Sequence, residues 1–286
     1  MKREYRYKDW LVKYTKEDGG RLDQLSYRGF NLLTTAPTAF KLPDNDYGQY
    51  ENRPVYGYDD CFPSVSECLY PKSDWVVPDH GEVCWLPFTV EEKTDSLLFS
   101  VKSQNLPLIL KRKLHFNEHV LLWSFEVQNL GSETLPFQHI IHPLMPLNEI
   151  VGIDAPGFVS VMEDIQKECL PIKTSDQLEG YLLNMPRESA TMLFLRGIKK
   201  GLFKLRFKNG LILEVRFPIE LFPTLGIWWN NHGYPYEDGI RRNECAFEPI
   251  PGPNSSLEDA YKEGSSLFVA PNQRLKWNFK WLLEIQ

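Results

Sequence analysis

"RLKWNFKWL", residues 274–282, alternates up to its last residue: Leu275, Trp277, Phe279 and Trp281 fall on one side, and Lys276, Asn278 and Lys280 on the other. A period of two marks a half-buried strand, because successive side chains point to opposite faces of a sheet. "LLWSFEV" (121–127) has the same pattern, with Leu121, Trp123, Phe125 and Val127 sharing a face. Both are predicted to be antiparallel strands with one side in a core.

The stretch "GLFKLRFKNGLILEVRF" (201–217) predicts a hairpin around Asn209-Gly210. A strict two-residue turn would set Leu205 opposite Glu214 and Phe203 opposite Arg216, mixing apolar and charged groups. A three-residue loop over 209–211 instead aligns Phe203, Leu205 and Phe207 with Phe217, Val215 and Leu213, and sets Arg206 across from Glu214. The longer loop is predicted. With 21 prolines and 18 glycines among 286 residues, few windows could hold a long helix. A short one is predicted near "SSLEDAYKEG" (255–264), capped by Ser255 or Ser256 and ended by Gly264. No internal repeat or long linker interrupts the chain, so one all-β domain over residues 1–286 is expected.

The composition, 42% hydrophobic and 24% charged, is that of a folded protein. A net charge of −6 argues against nucleic acid as a partner, since nucleic-acid binders usually carry a basic face that neutralises phosphates. "KRK" (111–113) and "KK" (199–200) fit a solvated face. The charged "MKREYRYKDW" lacks the apolar core of a signal peptide, and no run approaches the ~20 apolar residues that span a bilayer. A cytosolic protein with no membrane partner is expected. Five cysteines, an odd number without a CxxC pair, suit a reducing compartment and argue against a zinc ribbon. Each is read as a small core residue.

Two histidines, His139 and His142, lie three apart in "QHIIHPLMPL" (138–147). Pro143 disfavours helix for the residue before it, and Ile140 and Ile141 favour strand. Odd spacing on a strand sends the two to opposite faces, so they are not expected to share a site. His80, in "PDHGEV" (78–83), sits in a loop and is read either as a solvated side chain or as a functional one. Glu248, in "ECAFEPIPGPNSS" (244–256), closes an apolar run beside a Pro-rich turn. There a pocket could raise its pKa and fit it for proton transfer, or a salt bridge could hold it. "LGIWWNNHGYPYED" (225–238) mixes aromatics, amides and carboxylates, as sugar sites do, and at most one of Trp228 and Trp229 should line a given pocket. In "YGYDDCFPSVSE" (56–67), Asp59 and Asp60 are equally consistent with hydroxyl contacts and with turn capping. His115 and His119 read as surface residues.

In this order the segments resemble the aldose 1-epimerase (galactose mutarotase-like) superfamily, particularly its shorter, divergent members. The matching pieces are "GGRLDQLSYRGFNLL" (19–33), "GYDDCFPSV" (57–65), "PDHGEV" (78–83), "HPLM" (142–145), "LGIWWNNHGYP" (225–235) and "FEPIPGP" (247–253). The "NHxYFNL"-type signature of better-known members is replaced by "IIHPLM". The resemblance implies a mostly antiparallel β-supersandwich with a sugar-binding cleft on its concave face. It also implies Glu248 as catalytic base, His142 as acid and His80 as a second histidine on the sugar. Arg53, Asp60, Trp229 and Asn230 are the further substrate contacts it suggests. The implied reaction is anomer interconversion: Glu248 takes the anomeric hydroxyl proton while His142 protonates the ring oxygen, which needs no metal or redox cofactor. The expected partner is a small sugar. A sugar phosphate would need a cationic subsite, for which Arg53, Arg241 and Arg242 are the candidates. A non-catalytic carbohydrate-binding or sensing protein on the same fold is the alternative, because fold does not fix function. A metal site of His80, His139, His142 and Glu248 is set aside, since strand geometry separates the two histidines.

Overall fold

The alternating stretches lie side by side. In the computed structural model, which describes residues 2–36, 47–50, 53–234 and 241–285, the strand Arg274–Ile285 pairs antiparallel with Val120–Asn129. Trp281, Phe279 and Trp277 stand opposite Leu121, Trp123 and Phe125, and the Trp123 and Trp281 rings pack 5.1 Å apart. All of these side chains are buried, each contributing roughly 2–3 kcal/mol of apolar burial. On the solvent side Lys276 meets Glu126 at 3.0 Å, and Lys111 meets the same carboxylate at 3.3 Å.

The hairpin adds the next strands of this eight-stranded antiparallel sheet. Its strands are Leu202–Phe207 and Leu211–Arg216, so the loop does have three residues, but they are 208–210. Phe203 therefore faces Val215, and Leu205 faces Leu213. Every predicted partner is displaced by two residues, which preserves the apolar face. The turn closes early because Gly210, at φ +81°, donates to the Phe207 carbonyl at 3.0 Å while the Asn209 side chain accepts from Leu211 N. Lys204 thus takes the place predicted for Arg206 beside Glu214, at 2.8 Å. Arg206 pairs with Asp154 and Glu179 instead.

Beside two small two-stranded sheets, Leu135–Phe137 with Leu267–Val269 and Cys68–Leu69 with Val76–Val77, two six-stranded sheets form most of the rest of the body. One runs Met145–Pro146, Asn243–Ile250, Thr224–Asn231, Ser189–Arg196, Ser160–Glu163, Glu168–Leu170. The other runs Arg3–Tyr7, Trp10–Thr15, Arg21–Tyr27, Tyr58–Cys61, Ile140–Pro143, with Phe30–Asn31 on the third strand. A single apolar cluster draws residues from all three large sheets, and the strands Ile140–Pro143 and Asn243–Ile250 lie against each other. That junction carries the site.

The helix Leu257–Lys262 is capped by Ser256, whose hydroxyl accepts from Asp259 N, and Gly264 follows it at φ +71°. A second helix, Ser175–Leu183, is not foreseen by the sequence. Thr174 caps it, and only Leu178 and Leu182 are buried, too few apolar positions to stand out as a periodic stripe. Cys61, Cys84 and Cys245 are buried as expected, but Cys68 is half-buried and Cys169 exposed. Cys169 lies on a strand at the edge of its sheet, where Glu168 is exposed as well and only Leu170 is buried. No helix among the described residues is long and apolar enough to cross a membrane.

Candidate active site

Register decides which acids accompany which histidine. Ile140–Pro143 pairs antiparallel with Tyr58–Cys61, setting His142 opposite Asp59 and Ile141 opposite Asp60. Residues directly opposite share a face. Accordingly His142 Nδ1 lies 2.9 Å from Asp59 Oδ1. The Tyr50 hydroxyl donates to Asp59 Oδ2 at 3.0 Å, and Arg21 and Arg53 stand 3.8 Å from the same oxygen. Behind the sheet, His139 Nε2 meets Asp60 Oδ1 at 3.0 Å, fully buried against Phe125 and Trp277. The two histidines occupy opposite faces, as their odd spacing predicts.

Glu248 comes from the strand Asn243–Ile250, buried on both faces. Cys245 and Phe247 point into the main core, so the even-numbered residues face the other way. Glu248 Oε1 lies 3.7 Å from His142 Nε2. Burial pushes the Glu248 carboxyl above its ordinary value, against the pull of His142 and His80. Burial alone would depress the His142 imidazole, yet the Asp59 hydrogen bond and charge, with the charges of Glu248 and Glu244, raise it above its ordinary value. For Asp59 burial also opposes ionisation, but His142, Arg21 and Arg53 hold it far below the usual carboxylate range. Asp59 thus stays a fixed anion that holds a proton on His142 Nδ1 and turns Nε2 toward Glu248.

His80 reaches the same place from its loop. Its ring stacks on Tyr50 at 3.6 Å, nearly parallel, and lies 5.1 Å from the His142 ring. Gly81 follows at φ +75°, where a Cβ would sit 2.1 Å from the Phe62 carbonyl oxygen. Only glycine lets the loop pass this close to the sheet.

These groups line a cleft of ≈ 380 Å³, within the range of small-ligand sites. Its polar side includes His80, His142, Glu248, Asp79, Asp164 and Glu244; Leu144, Met192, Phe194 and Trp228 give it apolar walls. Flat apolar surfaces beside carboxylates and imidazoles match a sugar ring, whose C–H faces and hydroxyls need both.

Of the residues foreseen from sequence, Glu248, His142 and His80 line the cleft, and four others do not. Asp60 is fully buried on the far face, tied to Arg112, Tyr58 and His139. Arg53 lies beneath the cleft, paired with Asp18 and donating to the Cys84 carbonyl at 2.7 Å. Trp229 packs in the core, and its neighbour Trp228 faces the cleft with Nε1 donating to Glu244 at 3.3 Å. Asn230 is consumed by its own turn, accepting from Gly233 N and Tyr234 N and donating to the Tyr234 carbonyl. Arg241 pairs with Glu188 away from the cleft, whereas Arg242 lines it, paired with Glu244 at 2.7 Å. Pro235, Tyr236, Glu237 and Asp238 of the aromatic segment lie outside the described residues.

Sequence reasoning missed Tyr50, Asp59 as the partner of His142, Trp228 and Glu244. Period-two parity was the available signal: it separates Asp59 from Asp60 and Trp228 from Trp229. Which parity faces the cleft depends on strands far away in the chain.

No protein-family model and no curated protein matches this sequence. Solved structures do match its shape. A protein of Synechocystis sp. PCC 6803 superposes with a TM-score of 0.76 at 17% identity, over 100% of this chain and 96% of that one. A galactose mutarotase related enzyme from Lactobacillus acidophilus gives 0.71 at 16%, over 99% and 97%. A galactose mutarotase-like protein from Lactobacillus casei gives 0.68 at 15%, over 99% and 100%. The chain has the galactose mutarotase-like fold. Within that fold, the cleft with His142 and Glu248 lies where the sheet containing Asn243–Ile250 meets the strands Tyr58–Cys61 and Ile140–Pro143.

Proposed function

We propose that this protein interconverts the anomers of an aldose, with Glu248 as base and His142 as acid. The observation that carries the reading is the facing pair, His142 Nε2 and Glu248 Oε1 at 3.7 Å, at a cleft of sugar size. A hemiacetal has its two reacting oxygens on one carbon, so a carboxylate and an imidazolium side by side can serve both. Glu248 takes the proton from the anomeric hydroxyl as His142 gives its Nε2 proton to the ring oxygen. The C1–ring oxygen bond breaks and an open-chain aldehyde forms. Rotation about C1–C2 presents the other carbonyl face, and the same two transfers in reverse close the ring. The environments suit the roles: burial makes Glu248 a stronger base than a free carboxylate, and Asp59 favours the protonated form of His142. The likeness to a galactose mutarotase related enzyme supports the same reading.

An uncharged aldose is favoured over a sugar phosphate. Arg242 is the only one of the three candidate arginines in the cleft, and Glu244 already pairs with it. Anomer exchange followed by NMR across a panel of aldoses and their phosphates, for wild type, Glu248→Gln and His142→Asn, tests the proposal. Exchange above the buffer rate for an uncharged sugar, lost in both variants, is expected. Exchange no faster than buffer for every sugar would remove the catalytic reading; binding without exchange would leave a carbohydrate-binding protein.

A further inference from the structure

A thiol that these proton transfers do not use lies beside the cleft histidines. Cys61 ends the strand Tyr58–Cys61 and, two residues on from Asp59, shares its face. One ligand atom from each of Cys61, His80 and His142 lies within 4.8 Å of the other two. Each histidine also has a carboxylate at Nδ1. Asp59 Oδ1 is 2.9 Å from that of His142, and Asp79 Oδ1 is 3.0 Å from that of His80, the latter without the alignment of a hydrogen bond. A carboxylate at one ring nitrogen, leaving the other for an ion, is the common outer shell of a metal-bound histidine. Glu248 Oε1, 3.7 Å from His142 Nε2, stands outside that close group and would have to move in to supply a fourth ligand atom.

We propose that the cleft binds one Zn²⁺ through Cys61, His80 and His142, with Glu248 as fourth ligand, in competition with sugar. One sulfur, two imidazoles and one carboxylate form a set that suits zinc and not the oxygen-seeking Mg²⁺ or Ca²⁺. Bonds of about 2.3 Å to sulfur and 2.0–2.1 Å to nitrogen put tetrahedral ligand atoms roughly 3.5 Å apart, so Cys61, His80 and His142 close in by up to about an ångström and Glu248 swings in to join them. The Cys61 proton leaves to solvent as the thiolate binds the ion. The site stands on its own geometry; only its competition with sugar rests on the proposed function, because the ion would occupy the two groups that move protons.

Titration of the metal-free protein with Co²⁺, a coloured stand-in for Zn²⁺, tests this. One equivalent should give the intense visible bands of a tetrahedral ion and a near-ultraviolet thiolate-to-cobalt band, both erased by Zn²⁺. Cys61→Ser should lose the thiolate band and bind Zn²⁺ at least about tenfold more weakly, while its anomer exchange persists. His80→Asn, on a loop, should lose the tetrahedral spectrum, and Cys169→Ser should keep it. One equivalent of Zn²⁺ should stop exchange in the wild type. A six-coordinate spectrum without the thiolate band, or unchanged Zn²⁺ affinity in Cys61→Ser, would mean an adventitious ion only and overturn the site. The spectra read out even if no sugar is turned over, so failure of the metal site and failure of the epimerase reading are distinguishable.

Discussion

Replacing Asp59 by asparagine removes one charge and little volume, and it tests whether Asp59 is what makes His142 an acid. The hydrogen bond to Nδ1 is 2.9 Å long and buried. A bond to a charged partner is worth about 1.5–3 kcal/mol and a neutral one about 0.5–1.5, so the charge accounts for roughly 1.5 kcal/mol. That difference is about tenfold in rate. Arg21 and Arg53 keep Asp18 as a partner, so the fold should survive. With the Asp59 charge gone, His142 loses the main influence that raises its pKa. Its acid form then disappears at lower pH, and the alkaline limb of the pH–rate profile moves toward acid. The assay is anomer exchange between about pH 5 and 9, with the loss in kcat rather than KM. Because Asp59 is held ionised, it stabilises the native state above the ordinary carboxylate pKa of about 3.9 and loses that contribution as pH falls. The variant's Tm deficit at pH 7 should therefore shrink in acid. A profile superimposable on wild type, or a loss confined to KM, would refute the assigned role.

Glu248→Gln should slow exchange by at least about a hundredfold. Since burial raises the Glu248 pKa, its ionised form costs stability as pH rises through that value, so Tm at neutral pH should not drop; a large drop would mark Glu248 as a structural ion pair. Asp60→Asn should do the opposite: it weakens the partner of fully buried Arg112 and destabilises by up to about 3–5 kcal/mol in urea unfolding, with exchange per folded molecule retained. Lost kcat with an unchanged unfolding midpoint would return Asp60 to the cleft. Gly81→Ala must push its Cβ off the Phe62 carbonyl at a strained φ, costing on the order of 1–3 kcal/mol and raising KM by displacing His80. A variant as stable as wild type, by thermal unfolding, would contradict the loop's geometry.

The strands of the large sheet are legible because their signal is local. Trp277, Phe279 and Trp281 declare a face within nine residues, and Leu121, Trp123 and Phe125 declare its partner. The hairpin shows where this stops: parity excluded the two-residue turn, but a slip of two residues keeps the same face apolar, so hydrophobicity could not distinguish 209–211 from 208–210. The short helix Leu257–Lys262 was readable from its cap, whereas Ser175–Leu183 buries too few apolar residues to announce itself.

Parity also settled that His139 and His142 part company, and that Asp59 and Asp60, or Trp228 and Trp229, cannot both meet one cleft. It does not name which member faces the cleft, and the structure places Asp60 and Trp229 on the side away from it. By itself the sequence determined an antiparallel β architecture and a short set of residues able to carry acid–base chemistry, since alternation and residue type are written along a few neighbouring positions. Only the tertiary structure decided that Asp59 lies behind His142, that Arg53 and Asn230 are spent on support, and that Cys61 joins the cleft histidines. Those outcomes rest on the register of Tyr58–Cys61 with Ile140–Pro143, about 80 residues apart, and on the packing of Ile140–Pro143 against Asn243–Ile250, about 100 residues further on. A face becomes core or cleft only through what packs against it.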